Sequence, residues 1–472
     1  MSEDSRSTCD TATAPGDDSY ADLCSDDNFY IHRIEDGHYL VLSVAKVRPI
    51  LINETGKQFF DLLLECGTRE ACHARLFDED VTDFDAFCAE LDLLEFLDRE
   101  PDKRAIDPER TYSIRRKIFY LQLTNRCNLN CTYCFNVEQR RNVHDLPLEQ
   151  MKVILDKILP VAKEIKLTGG EPLLYRDLAA VIEHIRAFSE DTVIDLMSNG
   201  MSEFSRLDLE TLRKVNSFCV SCDRLHGDCG ERIGFRVDKF QKNIDYLIKN
   251  GWANKVQISS VATAFNEEDL KEVRAYCAAN GFFHFVAARC PRSDADDEFT
   301  QMPTIESMRR LQRTGLEGTG GAIPVPPKTA IELRDRCGAA NTTIGIGPEG
   351  DCYPCQGTYF PRFKLGNLLS QRLTEVVDTP LAEEMNRITS PTKKAVCSTC
   401  KLRHFCGGPC IGNLYPATGD PGGFSPALCH FAKRVVIDRL VHDVKFDAAA
   451  TILEEERVAK PLAEQATRED SV

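Results

Sequence analysis

Hydrophobic positions change their spacing several times along the chain, and the changes divide it into segments. Phe29-Tyr30-Ile31-His32-Arg33 and Tyr39-Leu40-Val41-Leu42-Ser43 read as strands around a Glu35-Asp36-Gly37 turn. A third short strand ends at Pro49-Ile50-Leu51-Ile52. Asn53 can cap a helix running through Phe59, Phe60, Leu62 and Leu63. Gly67-Thr68 restarts a helix, and Asp83 is expected to cap a third that carries Phe84, Phe87, Leu91 and Leu94 at helical spacing. Residues 28–97 therefore read as three strands, then three helices. Residues 98–116 are charged and lack an apolar run, which predicts a linker.

From 117 to 290 strand and helix patterns alternate. Strands are predicted at Ile118–Leu123, Glu164–Thr168, Thr192–Ser198, Ser217–Ser221, Val256–Ala262 and Phe282–Ala288. Between the first two, Pro147 opens a helix with Met151, Ile154, Leu155, Ile158 and Leu159 on one face. Repeated βα units imply a parallel sheet or barrel, with chemistry in the loops at the strand C-terminal ends. Residues 291–336 are an irregular Gly- and Pro-containing connector, and 337–430 are Cys- and Gly-rich with few apolar runs. The latter segment is too poor in periodic structure to fold on a core of its own, so bound metal is a natural staple. A helix is expected over 431–454, a polar tail over 455–472, and a disordered acidic tail over 1–27.

The net charge of −16 over 472 residues argues against nucleic-acid binding and against anionic lipid. No apolar run reaches the roughly 20 residues of a membrane span. The N-terminus lacks the basic and apolar regions of a secretory signal, so a cytoplasmic location is the expectation. The 21 cysteines change the picture most. In a reducing compartment, clustered cysteines read first as metal or iron–sulfur ligands rather than disulfides.

Cys127-Asn128-Leu129-Asn130-Cys131-Thr132-Tyr133-Cys134 directly follows the first predicted barrel strand. Three closely spaced thiolates, not four, suit a 4Fe–4S cluster with one iron left open. Zinc usually wants a fourth local ligand, and the next residue of that kind, His144, lies at no matching spacing. This motif, with its aromatic Tyr133, resembles the radical S-adenosylmethionine (SAM) superfamily signature. The resemblance continues along the chain. Leu167-Thr168-Gly169-Gly170-Glu171-Pro172 resembles the family's GGEP turn, and Ser198-Asn199-Gly200 its TNG-type turn. Val220-Ser221-Cys222-Asp223 resembles the SxD segment, and Arg232 lies where the family often has an Arg-Gly. Each motif alone is ordinary turn chemistry, but their order on successive strand ends is specific. The resemblance implies a partial (β/α)6 barrel of the TIM type. It implies SAM contacts at Tyr133, Gly169, Gly170, Glu171, Ser198, Asn199, Ser221 and Arg232, with the acidic residue near the SAM amino group and Arg232 near its carboxylate.

Cys397-x2-Cys400-x5-Cys406-x3-Cys410, followed by Cys429, is similar to the later half of the SPASM pattern. Upstream, Cys337 and Gly350-Asp351-Cys352-Tyr353-Pro354-Cys355 resemble its earlier half, followed by Gly366-Asn367. By this resemblance Cys397, Cys400, Cys406 and Cys429 bind one auxiliary 4Fe–4S cluster. Cys337, Cys355 and Cys410 bind another, whose fourth ligand is Cys352, or Cys290, or absent. A zinc ribbon of Cys397, Cys400, Cys406 and Cys410 leaves Cys337, Cys355 and Cys429 unexplained.

The N-terminal unit resembles PqqD-like peptide-recognition elements, winged-helix-like α+β modules that take a leader peptide as an added strand. The resemblance implies a groove near Ile50, Ile52, Phe84, Phe87 and Leu91, although those side chains can equally be the unit's own core. Together these similarities imply a radical SAM/SPASM enzyme that modifies a ribosomally made precursor peptide. It would act by hydrogen abstraction with a 5′-deoxyadenosyl radical, and a reductase, flavodoxin or ferredoxin would supply electrons. An open auxiliary iron would favour a thioether crosslink. The alternatives are a PqqE-like carbon–carbon crosslinking enzyme, an anaerobic sulfatase-maturing enzyme, and a non-catalytic peptide-binding adaptor with structural metal. No catalytic acid or base stands out among the 74 carboxylates.

Overall fold

The structure is a computed structural model that describes residues 27–34, 37–101, 117–136, 145–293, 295–313, 333–334 and 336–446. The expected acidic tail up to residue 26, residues 102–116 of the linker, residues 314–332 of the connector, and the C-terminal tail lie outside the described residues.

Three antiparallel strands, β1 (Phe29–Arg33), β2 (Tyr39–Ser43) and β3 (Arg48–Ile52), form the first sheet in sequence order. Helices α1 (Glu54–Cys66), α2 (Arg69–His73) and α3 (Asp78–Leu93) follow. Asn53 caps α1 as expected, its side chain accepting from the Gly56 N–H at 2.9 Å. Asp83 does not cap α3. The helix starts five residues earlier, where Asp78, Glu79 and Asp80 place negative charge on its first turn.

Every residue of β2 is buried, so this sheet is covered on both faces. One face packs on the unit's own helices through Phe29, Ile31, Val41, Ile50 and Ile52 against Phe59, Phe60, Phe84, Phe87 and Leu91. The expected groove residues are thus part of that core, while β3 keeps an outer edge with no strand partner among the described residues. The other face carries Tyr30, Leu40, Leu42, Val47 and Leu51. It packs against Leu402, Phe405 and Cys406, and against Val436, Ile437 and Leu440 of the helix Pro426–Phe446.

The barrel strands are β4 (Lys117–Gln122), β6 (Ala162–Thr168), β7 (Val193–Ser198), β8 (Ser217–Ser221), β10 (Val256–Ala262) and β11 (Phe283–Ala288). Two short strands at the barrel mouth, β5 (Asn130–Cys131) and β9 (Arg232–Ile233), pair with each other. The six barrel strands are parallel and adjacent in sequence order. Helices α4 (Leu148–Ile158), α5 (Leu178–Phe188), α6 (Leu209–Arg213), α7 (Val237–Lys249) and α8 (Glu267–Asn280) connect them. Alternate strand residues such as Phe119, Leu121, Ile165, Leu167, Ile194, Leu196, Phe218 and Val220 are fully buried in the main core. This is a partial, open barrel rather than a closed one.

The sheet continues past the barrel. β12 (Thr343–Ile346) pairs in parallel with β4, and β13 (Asp351–Tyr353) and β14 (Gly366–Asn367) extend it antiparallel. The start of the Cys-rich segment is therefore built onto the barrel's edge. Its isolated apolar residues, Ile344, Ile346, Phe363, Leu368 and Met385, join the barrel core. Among the described residues no helix is long and apolar enough to cross a membrane.

Two outcomes follow from the doubly covered N-terminal sheet. Leu40→Ala removes a side chain buried at the junction and is expected to cost about 2–5 kcal/mol, measured by anaerobic denaturant unfolding. His32 is buried, and burial, then Arg434 and Arg309, lower its pKa to about 4. The unfolded chain takes up that proton near pH 6.5 and the folded chain only near 4. His32 therefore favours folding above pH 6.5, and this contribution is lost as pH falls toward 4. His32→Asn should flatten that part of a pH–stability profile.

Candidate metal and cofactor centre

The turn after β6 is built by close approach of two backbones. Gly170 N–H donates to Thr124 O, and Glu171 N–H to Arg126 O, each at 2.8 Å. A Cβ on Gly169 would lie 2.3 Å from Thr124 O, and one on Gly170 would lie 2.1 Å from Arg126 O. Gly169 also has φ +146°, where side chains are rarely tolerated. The glycine pair thus presses the β6 turn onto the segment that leads into Cys127.

Glu171 is fully buried beneath this turn. Its carboxylate accepts from Ser198 Oγ at 2.9 Å, Asn199 N–H at 2.8 Å and Leu173 N–H at 3.2 Å. Burial pushes its pKa up to about 7 against these three hydrogen bonds. Glu171 and Ser198 therefore tie the β6 turn to the β7 turn and are occupied within the protein. Asn199 continues the tie: its side-chain amide donates to Asn128 Oδ1 at 2.8 Å and to Cys127 Sγ at 3.6 Å.

On the other side of the cysteine loop, β5 pairs with β9, placing Cys131 opposite Arg232. Arg232 is buried and forms a two-pronged ion pair with Asp223, Nε to Oδ2 at 2.9 Å and Nη2 to Oδ1 at 3.0 Å. Its guanidinium lies 5.6 Å from the Tyr133 ring centroid, and the Tyr133 hydroxyl donates to the same Asp223. Arg232 thus fastens the loop to the end of β8. Ser221 ends β8 and is half-buried. Asp223 and Arg289 organise this mouth and were not singled out as site residues. Asp223 is legible as the acid of the SxD segment. Arg289 has no sequence signal, yet its side chain is 2% exposed and reaches Thr132, Glu231 and Glu298.

Cys127, Cys131 and Cys134 are half-buried on this braced loop. Burial raises the Cys131 pKa to about 11; Arg232 opposes this, and the neighbouring Cys134 and Cys127 thiols add to it. Cys127 Sγ also accepts from Leu129 N–H at 3.4 Å. Three thiols in electrostatic reach of one another, with N–H donors aimed at one sulfur, are a donor set that fits a 4Fe–4S cluster.

The remaining thiols form two groups. Cys355 is near Cys410 and Cys337; burial first, then these neighbouring thiols, push its pKa up to about 12, and burial and Cys337 push the Cys410 pKa up. Cys406 is near Cys400 and Cys397. Cys429 lies in the first turn of Pro426–Phe446, the helix whose later turns pack on Leu402, Phe405 and Cys406. Cys352 stands apart from both groups. It sits on β13 within the main core, fully buried, with Sγ directed at Gly350 O at 3.8 Å. Alternation along β13 turns it inward, while Cys355 follows the strand's end. Among the described residues no three His, Cys, Asp or Glu side chains are close enough to hold a single metal ion.

Residues 121–277 match the radical SAM superfamily, and residues 337–401 match SPASM, an iron–sulfur cluster-binding domain. Mycofactocin maturase MftC of Mycolicibacterium smegmatis is 24% identical over 324 residues, 64% of this chain and 79% of that protein. GTP 3′,8-cyclase of Aliarcobacter butzleri is 32% identical over 181 residues, 35% of this chain, which spans about half (54%) of that relative. The crystal structure of Streptococcus suis SuiB bound to S-adenosylmethionine shares the fold, with TM-score 0.52 and 19% identity over 86% of this chain and 99% of SuiB. SuiB is also solved bound to its precursor peptide SuiA. The fold is the radical SAM fold with a SPASM domain, which implies a 4Fe–4S cluster with SAM and auxiliary iron–sulfur clusters.

Gly170→Ala is expected to displace the cysteine loop and lose about four of the twelve irons of a three-cluster protein, read by iron and sulfide analysis. Glu171→Gln turns an amide donor toward one of three donors and should destabilise by about 1–3 kcal/mol in denaturant unfolding.

Proposed function

We propose that this radical SAM enzyme modifies a ribosomally made precursor peptide and leaves a crosslink in it. When bound, SAM and its reduced cluster would supply a 5′-deoxyadenosyl radical able to take one hydrogen atom from the peptide, and closing the crosslink would release a proton and one electron, the electron to an auxiliary cluster. The chain's own residues hold the site. Glu171, Asn199 and the Arg232–Asp223 pair fix the cysteine loop over the barrel mouth, so that the reacting groups need little reorganisation. A low-potential donor of the flavodoxin or ferredoxin kind would deliver the electron.

The observation that carries this reading is the docking of the N-terminal sheet on the cluster domain. One sheet face rests on Leu402, Phe405 and Cys406, so β3 is held in fixed relation to the C-terminal cysteines. Its outer edge, which has no strand partner among the described residues, would take an extended peptide as an added strand, the β-augmentation expected of a PqqD-like element. Such an edge supplies affinity from the backbone while the barrel supplies chemistry. The maturase relative and the peptide-bound SuiB structure support a peptide substrate. A thioether is the favoured bond only where an auxiliary iron is open to the peptide thiol.

A displayed library of random peptides, each about 30 residues long, tests the reading. Incubated with the reconstituted full chain, SAM and dithionite, it should yield peptides two hydrogens lighter by mass spectrometry. It should also enrich peptides whose amides gain exchange protection against β3. Formation of 5′-deoxyadenosine with no peptide enriched or altered would overturn the peptide assignment.

A further inference from the structure

The cluster domain carries a charge pattern that the rest of the chain does not. Of the 472 residues 74 are acidic, yet none of the 35 from Met385 to Gly419 is, while five of these are Lys or Arg. The same stretch holds Cys397, Cys400, Cys406 and Cys410. A molecule of net charge −16 thus gathers positive charge around its auxiliary thiols.

Part of that charge lines a cavity of 220 Å³. Arg336, Arg387 and Lys393 form its walls against one carboxylate, Glu383. Arg387 lies in the last turn of the helix Pro380–Thr389. The turn beyond it is closed by the Lys393 and Lys394 N–H groups, which donate to Ser390 O at 3.1 and 3.2 Å. Arg387 and Lys393 are exposed, and no ion pair engages either among the described residues.

The cavity is joined to both auxiliary groups. Arg336 immediately precedes Cys337, an exposed thiol of one group. Lys394, next to Lys393, reaches the other group. Its Nζ lies 3.1 Å, and Cys397 Sγ 3.3 Å, from where a Gly408 Cβ would stand. Gly408 leaves that space to the two side chains. A redox centre docked on these cations would come within short reach of the auxiliary thiols.

We propose that the cationic face centred on Arg387 and Lys393 is the docking site of an acidic one-electron carrier protein of the flavodoxin class. Arriving oxidised, the carrier gains the one electron that crosslink closure releases; no bond or proton moves in that transfer. The rest of the surface is acidic on balance and repels such a carrier, so this face also sets where it lands. A protein suits the face better than a small anion does, because Glu383 stands in the cavity wall and Lys394 carries the charge onward to Cys397. The inference rests on the electron's exit through an auxiliary cluster and does not depend on which bond the peptide gains.

The test uses the reconstituted full chain and a purified acidic flavodoxin. Calorimetric binding should weaken as ionic strength rises. Arg387→Glu with Lys393→Glu should weaken it roughly tenfold or more at low salt, with iron content unchanged. Lys239→Glu with Lys242→Glu makes the same change of net charge at exposed positions of α7 and should leave binding intact. So should the conservative pair Arg387→Lys with Lys393→Arg. In a chain with Cys127, Cys131 and Cys134 changed to Ala and the rest reduced by dithionite, flavodoxin should gain one electron. The Arg387→Glu, Lys393→Glu pair should slow that gain by a similar factor. No flavodoxin binding, equal losses in the two charge-reversed pairs, or binding with no electron gained would overturn the inference. So would inorganic phosphate binding that needs Arg387 and Lys393 while flavodoxin binding does not. A triple-alanine chain that loads no iron would overturn it together with the auxiliary-cluster reading.

Discussion

The rest of the centre depends on the contact between the β6 turn and the backbone of Thr124–Arg126. Two glycines without side chains let the turns after β4 and β6 touch through hydrogen bonds at 2.8 Å, and any Cβ there would overlap a carbonyl oxygen. That contact sets where Cys127 begins. Glu171 then extends the tie to β7, Asn199 returns it to the Cys127 sulfur, and Arg232–Asp223 closes it from β8. The carboxylate beneath the turn is buried at the expense of an elevated pKa, a strain that three hydrogen bonds offset. The motif residues thus act mainly by positioning a loop of thiols, and the cofactor contributes the reactive chemistry.

A second constraint is the shared sheet. Because β12 pairs with β4, the cluster domain is continuous with the barrel and cannot move as a separate body without breaking strand hydrogen bonds. The N-terminal sheet then rests on the cluster domain through Leu40, Leu42 and Leu51. The sheet, the auxiliary cysteines and the barrel mouth are thus joined by packed interfaces.

Much of this was legible in the sequence because it depends on local pattern. The six barrel strands fall within two residues of their predicted bounds, since each is a short apolar run ended by a turn. The three-strand, three-helix order of the N-terminal unit followed from Asn53, Gly67 and the aromatic spacing. What was not legible depends on distant pairing. That Glu171 and Arg232 pair with Ser198, Asn199 and Asp223 depends on turns far apart in the chain, so only the fold shows it. Cys352 has motif-like spacing, but strand alternation turns it into the core. The start of α3 was missed because Phe77 makes no side-chain cap and leaves the turn to be fixed by charge.

The braced thiols of Cys127, Cys131 and Cys134 are expected to hold the cluster that cleaves SAM. The direct measurement is 5′-deoxyadenosine formed by the anaerobically reconstituted full chain with SAM and dithionite, beside its iron content. The account predicts 5′-deoxyadenosine with about twelve irons per chain, and its loss, with about four irons, when those three cysteines become alanine. Zinc in place of iron, or 5′-deoxyadenosine that survives the triple substitution, would contradict it.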